Sequence, residues 1–241
     1  MARVEMSDLP REIQQQYRIA LERDIASWRA KDRGNYQVDR NAYEYVHFLR
    51  GIYKFLSYVR GISSNNGASL LWLGEGTLQA VEQFLRAGWL NGINQIATTL
   101  DTEICRTVSE VEVLACGGER LSDQRRSIDD QTILGIISVF ALQFSARPDL
   151  VVKELQRVLS PSGVIKMVVS SKQLNGIGGS ERWIPIFTDN ELSVALHEGL
   201  EFDVILAVKP PVLVTACELL EQDNQTMGNQ LEGFCPYGWT S

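Results

Sequence analysis

Leu70-Leu71-Trp72-Leu73-Gly74-Glu75-Gly76-Thr77, with Asp101 at the end of the next apolar run, is the stretch that decides the fold. Its apolar residues read as a short buried strand, and Gly74-Glu75-Gly76 as the turn into a helix. Gly74 suits a tight turn, and Gly76 suits close approach of backbone to a ligand. Thr77 is the expected cap of the helix. The turn is expected to offer backbone N–H groups and a helix N-terminus to a negative group. Asp101, just past the second strand, suits a ribose diol.

Outward from this turn the pattern alternates. Strands are predicted over 69–73, 96–100, 111–115, 133–140 and 164–169. Helices are predicted over 77–87, from 102, and over 150–159. The continuous apolar run 133–140 reads as a strand buried on both faces. Ser160-Pro161-Ser162-Gly163 stops the helix before it. Such alternation implies a mostly parallel sheet with helices on both faces. A further helix is predicted over 191–197. The β-rich runs 202–208 and 212–219 then follow, separated only by Lys209-Pro210-Pro211. That link is too short for a crossover, so the two runs are predicted to form an antiparallel hairpin.

Before the turn, Ile13, Tyr17, Leu21, Ile25 and Trp28 make one apolar helical stripe, and Tyr45, Leu49, Ile52, Leu56 and Val59 make another. Gly34-Asn35 separates them, and residues 61–67 form a turn-rich connector. The predicted organisation is a helical cap over 1–62 and an α/β domain over 63–241. The glycine-rich stretch 171–183 reads as a flap over the site or as an ordinary surface loop.

Composition narrows the class. The chain has 241 residues, 44% hydrophobic and 22% charged, with a net charge of −7. No basic face suggests a nucleic-acid partner, and Arg120, Arg125 and Arg126 read as a solvated helix face. The four cysteines, Cys105, Cys116, Cys217 and Cys235, lack zinc spacing. No metal is expected, and the cysteines read as free thiols. The N-terminal sequence has no signal-peptide pattern, and no apolar run reaches membrane-spanning length, so a cytoplasmic setting is expected. A dinucleotide fingerprint needs a third glycine where Gln79 stands, and no lysine follows the glycines to make a Walker loop. A nicotinamide-dependent reductase is therefore disfavoured.

Four stretches resemble the class I S-adenosylmethionine-dependent methyltransferases, and in particular the ubiquinone/menaquinone methyltransferase-like branch. Leu71-Trp72-Leu73-Gly74-Glu75-Gly76 stands at the family's glycine motif, and Ala97-Thr98-Thr99-Leu100-Asp101 at its second strand. Ile136-Ile137-Ser138-Val139-Phe140-Ala141-Leu142-Gln143-Phe144 resembles its fourth-strand motif. Leu155-Gln156-Arg157-Val158-Leu159-Ser160-Pro161-Ser162-Gly163 resembles its helix-to-strand passage. The resemblance implies a Rossmann-like, mostly parallel α/β sheet of seven strands with a C-terminal antiparallel hairpin. It implies S-adenosylmethionine as cofactor and a small-molecule acceptor. Leu73, Gly74, Glu75 and Gly76 would lie under the methionine part, and Asp101 would hold the ribose. Gly117, Gly118 and Glu119 would lie beside the adenine, and Ser138 and Val139 would face donor and acceptor.

The chain also departs from the pattern. Trp72 stands where the family has an acid, Leu78 where it has a third glycine, and Gly117 where it has the adenine-side acid, with Glu119 as the substitute. These departures keep a second reading open: a catalytically inactive methyltransferase fold acting as a binding or scaffold protein. His47, near Tyr43 and Tyr45, is the candidate base if the acceptor must lose a proton, and a structural histidine otherwise. The apolar stripes of the N-terminal helices suit a homodimer as well as a lid.

Overall fold

The computed structural model describes residues 42–62, 68–75, 78–99, 110–122, 128–142, 145, 147–170, 179–199 and 202–210. The strands are β1 (Ala68–Trp72), β2 (Ile93–Thr98), β3 (Val111–Leu114), β4 (Ile133–Val139), β5 (Leu159–Ser170), β6 (Ser193–His197) and β7 (Phe202–Val208). They form one seven-stranded sheet in the order β3-β2-β1-β4-β5-β7-β6. The pairs from β3 to β5 are parallel, and β7 runs antiparallel to both β5 and β6. The expected α/β fold, mostly parallel with an antiparallel end, is therefore present.

The ending is built differently from the expectation. Residues 193–197 form β6 and pair with β7, although 191–197 was the predicted helix. Leu192, Ala195 and the helix-forming Glu191 suggest a helix, but so short a stretch has too few internal bonds to sustain one. Glu191, at φ 60°, turns the chain out of the preceding helix and into the strand. That helix, α4 (Ser180–Asp189), begins inside the stretch predicted as loop or flap and carries Pro185 in its interior. The partner of β7 is thus the segment before it, and the predicted strand 212–219 lies outside the described residues.

The other helices are α1 (Ala42–Ile62), α2 (Gln79–Arg86) and α3 (Pro148–Val158). α2 starts later than predicted, with Leu78 rather than Thr77 at its N-cap. β2 starts earlier, and β5 begins at Leu159 through an irregular register between Ile133 and Gly135. Gly163 permits this close passage, since a Cβ there would stand 2.9 Å from the carbonyl oxygen of Ile133.

Two apolar layers enclose the sheet. On one face Ile52, Phe55, Leu56 and Val59 of α1 and Val81 and Phe84 of α2 pack with Leu70, Trp72, Ile137 and Val168. On the other, Val151, Leu155 and Val158 of α3 and Trp183 and Phe187 of α4 pack with Leu71, Leu73, Ile136 and Ile165. The described part of the second stripe is thus spent on the sheet, not exposed for a dimer. α1 runs antiparallel to the strands. Val59 and Phe55 lie over Gly135 near the start of β4, and Gly51 lies over Lys166 farther along β5. The N-terminal turns of α1 therefore head toward the carboxyl ends of the strands. Among the described residues no helix is long and apolar enough to cross a membrane.

Arg157 ties α3 to the lead-in of β4. Its Nε and Nη2 donate to Glu154 at 2.9 and 3.1 Å, and its Nη1 donates to Ile128 O at 2.8 Å and to Asp130 at 2.6 Å. Burial opposes its charge, but the hydrogen bonds to Glu154 and Asp130 prevail and raise its pKa. Arg157→Ala is expected to destabilise the chain by about 3 kcal/mol, because it strands the buried Glu154 carboxylate. Urea denaturation measures this, and an unchanged midpoint would show the cluster to be ornamental. The Asp130 carboxyl, unlike Glu154, is mostly exposed.

Candidate functional site

The strand order reverses between β1 and β4, whose carboxyl ends lie side by side. Open α/β sheets bind ligands at such a point. The sheet does not stop at Trp72. Leu73 N–H donates to Ile137 O at 2.8 Å and Glu75 N–H to Thr98 O at 3.0 Å. Gly74 N–H donates to Thr98 Oγ1 at 3.0 Å. This corrects one expectation: the N–H groups of Gly74 and Glu75 are held by β2 and are not offered to an anion.

Gly74 has φ +76°, and a Cβ built there would lie 2.4 Å from the Cβ of Ala141. The glycine thus lets the turn after β1 meet the turn after β4. Leu78 holds a left-handed conformation, φ 58° and ψ 6°, and its side chain is fully buried. At the third glycine position a glycine-like backbone is kept under a leucine, at a cost of about 1 kcal/mol or more. Phe140 is likewise left-handed, at φ 54°. Its N–H donates to Val168 O at 2.9 Å, and its ring meets Phe202 edge-on with centroids 6.2 Å apart.

The turn after β3 reaches the same place. A Cβ on Gly118 would stand 3.5 Å from Leu142 and 3.7 Å from Leu73. Gly117 precedes a short 3-10 turn, and a Cβ on it would stand 2.3 Å from Glu119 Oε1. The Glu119 carboxyl therefore fills the space where a side chain at 117 would begin. Ser138 is buried, and its hydroxyl accepts Leu142 N–H at 3.4 Å. Val139, its half-buried neighbour, ends β4.

Glu75 is 8% exposed, and burial pushes its carboxyl up to about 7. Trp72 does not enter the site. Its indole stacks on Phe84, centroids 5.6 Å apart, and donates to Gln95 Oε1 at 2.7 Å on the helix-covered face.

The structure thus brings together Leu73, Gly74, Gly118 and the segment from Ser138 to Leu142. Gly76, Thr77 and Asp101 lie outside the described residues, as does the His47 side chain. The backbone of α1 places position 47 one turn before Gly51, on the end nearing the strand termini. Sequence reasoning missed Thr98, which fixes the glycine turn, and Ala141, which faces Gly74. Only the place of Thr98 at a strand end hinted at its role, and nothing in the sequence pairs 74 with 141.

Comparison with protein-family models gives no match, and comparison with curated proteins gives none. Solved structures share the fold. A 1,6-didemethyltoxoflavin-N1-methyltransferase of Burkholderia thailandensis, with 1,6-didemethyltoxoflavin and S-adenosylhomocysteine bound, is 15% identical. The match covers 81% of this chain and 89% of that one, with a TM-score of 0.56. The CurJ carbon methyltransferase is 12% identical over 66% of this chain and 53% of its own, with a TM-score of 0.54. The CMeT domain of the citrinin polyketide synthase is 14% identical over 64% and 51%, with a TM-score of 0.53. The chain spans about half the length of these last two. At such identities the likeness establishes the fold, which is a Rossmann-like methyltransferase fold.

Proposed function

We propose that this chain transfers a methyl group from S-adenosylmethionine to a small organic acceptor. The observation that carries the reading is the convergence of three strand ends at the switch point, with Gly74 set against Ala141 and Gly118 close to both Leu73 and Leu142. The turns after β1, β2 and β3 are the proposed holders of the donor. Leu73, Gly74, Glu75 and Gly76 would lie under its methionine part, and Asp101 would hold the ribose hydroxyls. Gly117, Gly118 and Glu119 would lie beside the adenine. The placement of the Glu119 carboxyl at Gly117 supports this, since an acid reaches that space from two residues farther on. Ser138 and Val139 would face donor and acceptor.

When bound, S-adenosylmethionine supplies a methyl group activated by its sulfonium. The chain's part is positioning, which removes much of the barrier by fixing acceptor and donor in line. An acceptor hydroxyl or carbon acid must also lose a proton. His47 is the proposed base, and the direction of α1 supports it. The motif over 155–163 supports the ubiquinone/menaquinone methyltransferase-like branch, and the acceptor is proposed only as a small organic molecule. The orientation of Trp72 weighs against an inactive scaffold, because the indole leaves the turn clear.

Two tests address this reading. With methyl-labelled donor and a cell extract, label is expected in the small-molecule fraction. Label confined to protein or nucleic acid would overturn the acceptor class. Asp101→Ala is expected to weaken donor affinity by about 1.5–3 kcal/mol, the scale of a hydrogen bond to a charged group. Unchanged affinity would remove Asp101 from the site.

A further inference from the structure

Among the described residues, Glu75 is the one buried acid of the candidate site whose surroundings leave it unexplained. Buried acids elsewhere are matched. Glu154 receives Arg157, and Asp203 accepts the Ser180 hydroxyl at 2.6 Å and Gly199 N–H at 3.3 Å. Glu119 has contacts of its own. The Glu75 carboxyl, by contrast, has no hydrogen bond and no ion pair among the described residues.

Its position is fixed all the same. The backbone N–H is tied to Thr98 O, and Gly74 before it is wedged against Ala141. These neighbours are uncharged. No charged group among the described residues shifts its titration, and burial alone raises it to about 7. The segment 100–109, with Asp101, lies outside the described residues. A carboxylate this little exposed and without a partner among the described residues is disfavoured, which favours the protonated acid or a positive charge beside it.

We propose that Glu75 is the counter-ion of a cationic small molecule, and that the site takes up the cation and releases the Glu75 proton in the same step. The inference rests on the donor reading above and extends it. The only covalent bond of the chain that breaks on binding is the O–H of the Glu75 carboxyl. The carboxylic acid gives its proton to solvent, and carboxylate and cation remain paired. S-adenosylmethionine carries two positive centres, a sulfonium and an ammonium, whereas its demethylated product keeps only the ammonium. Pairing with the sulfonium would also couple catalysis to release. Loss of the sulfonium charge on methyl transfer would leave Glu75 without its counter-ion, and the carboxylate would then take a proton back.

The test is calorimetric titration of the full chain and of Glu75→Gln, with S-adenosylmethionine and with S-adenosylhomocysteine, at about pH 6 and about pH 8. The ratio of wild-type to variant affinity isolates Glu75 from the ligand's own amino group. That ratio is expected to rise about tenfold from the lower to the higher pH, with proton release on binding at the lower pH that the variant lacks. A rise for S-adenosylmethionine alone assigns the sulfonium, and a rise for both ligands assigns the ammonium. A ratio that does not change with pH while both proteins bind overturns the inference and leaves the donor reading standing. Failure of folded wild-type protein to bind either ligand overturns both. The variant is expected to melt no lower than wild type at the higher pH, since it lacks the unpaired carboxylate. A variant that melts well below wild type there would mark Glu75 as structural and would also overturn the inference.

Discussion

Gly74→Ala is expected to destabilise the folded chain by about 3 kcal/mol and to abolish donor binding. Two costs combine. The residue has φ +76°, where an L side chain loses about 1–2 kcal/mol. Its new Cβ would also stand 2.4 Å from the Cβ of Ala141, a distance that carbon atoms do not tolerate. The turn after β1 or the turn after β4 must then move. Both border the proposed donor site, so binding is lost with stability. Gly88 separates the two costs. It has φ +74°, but a Cβ there meets nothing closer than the Asn91 side chain at 3.4 Å. Gly88→Ala is expected to cost about 1 kcal/mol and leave binding intact. Ala141→Gly combined with Gly74→Ala removes the collision and is expected to recover part of both losses. Chemical denaturation with donor titration measures all four proteins. If Gly74→Ala proved no worse than Gly88→Ala, the meeting of the two turns would have no energetic weight.

Trp72→Ala is expected to cost about 4 kcal/mol, the range for deleting a large buried aromatic. The indole is fully buried, stacks on Phe84, and holds the amide of Gln95, itself 4% exposed. The Gln95 amide also donates to Ile93 O at 2.8 Å, so the indole N–H completes a small polar network inside the apolar layer. Trp72→Phe keeps the stack and leaves Gln95 Oε1 without its donor, which is expected to cost about 1–3 kcal/mol. Adding Gln95→Met should recover most of that, because removing both partners of a buried hydrogen bond is nearly neutral. Denaturation midpoints give these values. Trp72→Phe with wild-type stability would contradict the role assigned to the indole N–H. Donor affinity is expected to survive in this variant, because the ring faces α2 and not the site.

These two residues show how far the sequence could be read. The strand into Gly74, the doubly buried run of β4 and the helix-to-strand passage at Arg157 all follow local rules of periodicity and turn chemistry. They were therefore legible, and with them the sheet. The end of the sheet was less so. Residues 191–197 combine helix-forming residues with a strand's place, and only pairing with β7 decides between them. α4 was hidden by the glycines before it and by Pro185 within it. In the site, Gly74 was legible as a turn, but Ala141 was not legible as its neighbour. The left-handed Leu78 was also unforeseen, since leucine gives no local signal for that conformation. Glu119 reads as a substitute for the missing acid at 117, and the structure sets its carboxyl against Gly117. A residue without a Cβ leaves room for the carboxylate two positions on.

The central claim is that the switch point between β1 and β4 binds a methyl donor. Calorimetric titration of the purified chain at neutral pH with S-adenosylmethionine, then with S-adenosylhomocysteine, tests it most directly. Saturable binding at one site with a dissociation constant of about micromolar order is expected for both. A folded chain that binds neither would contradict the claim and leave a methyltransferase fold without its donor.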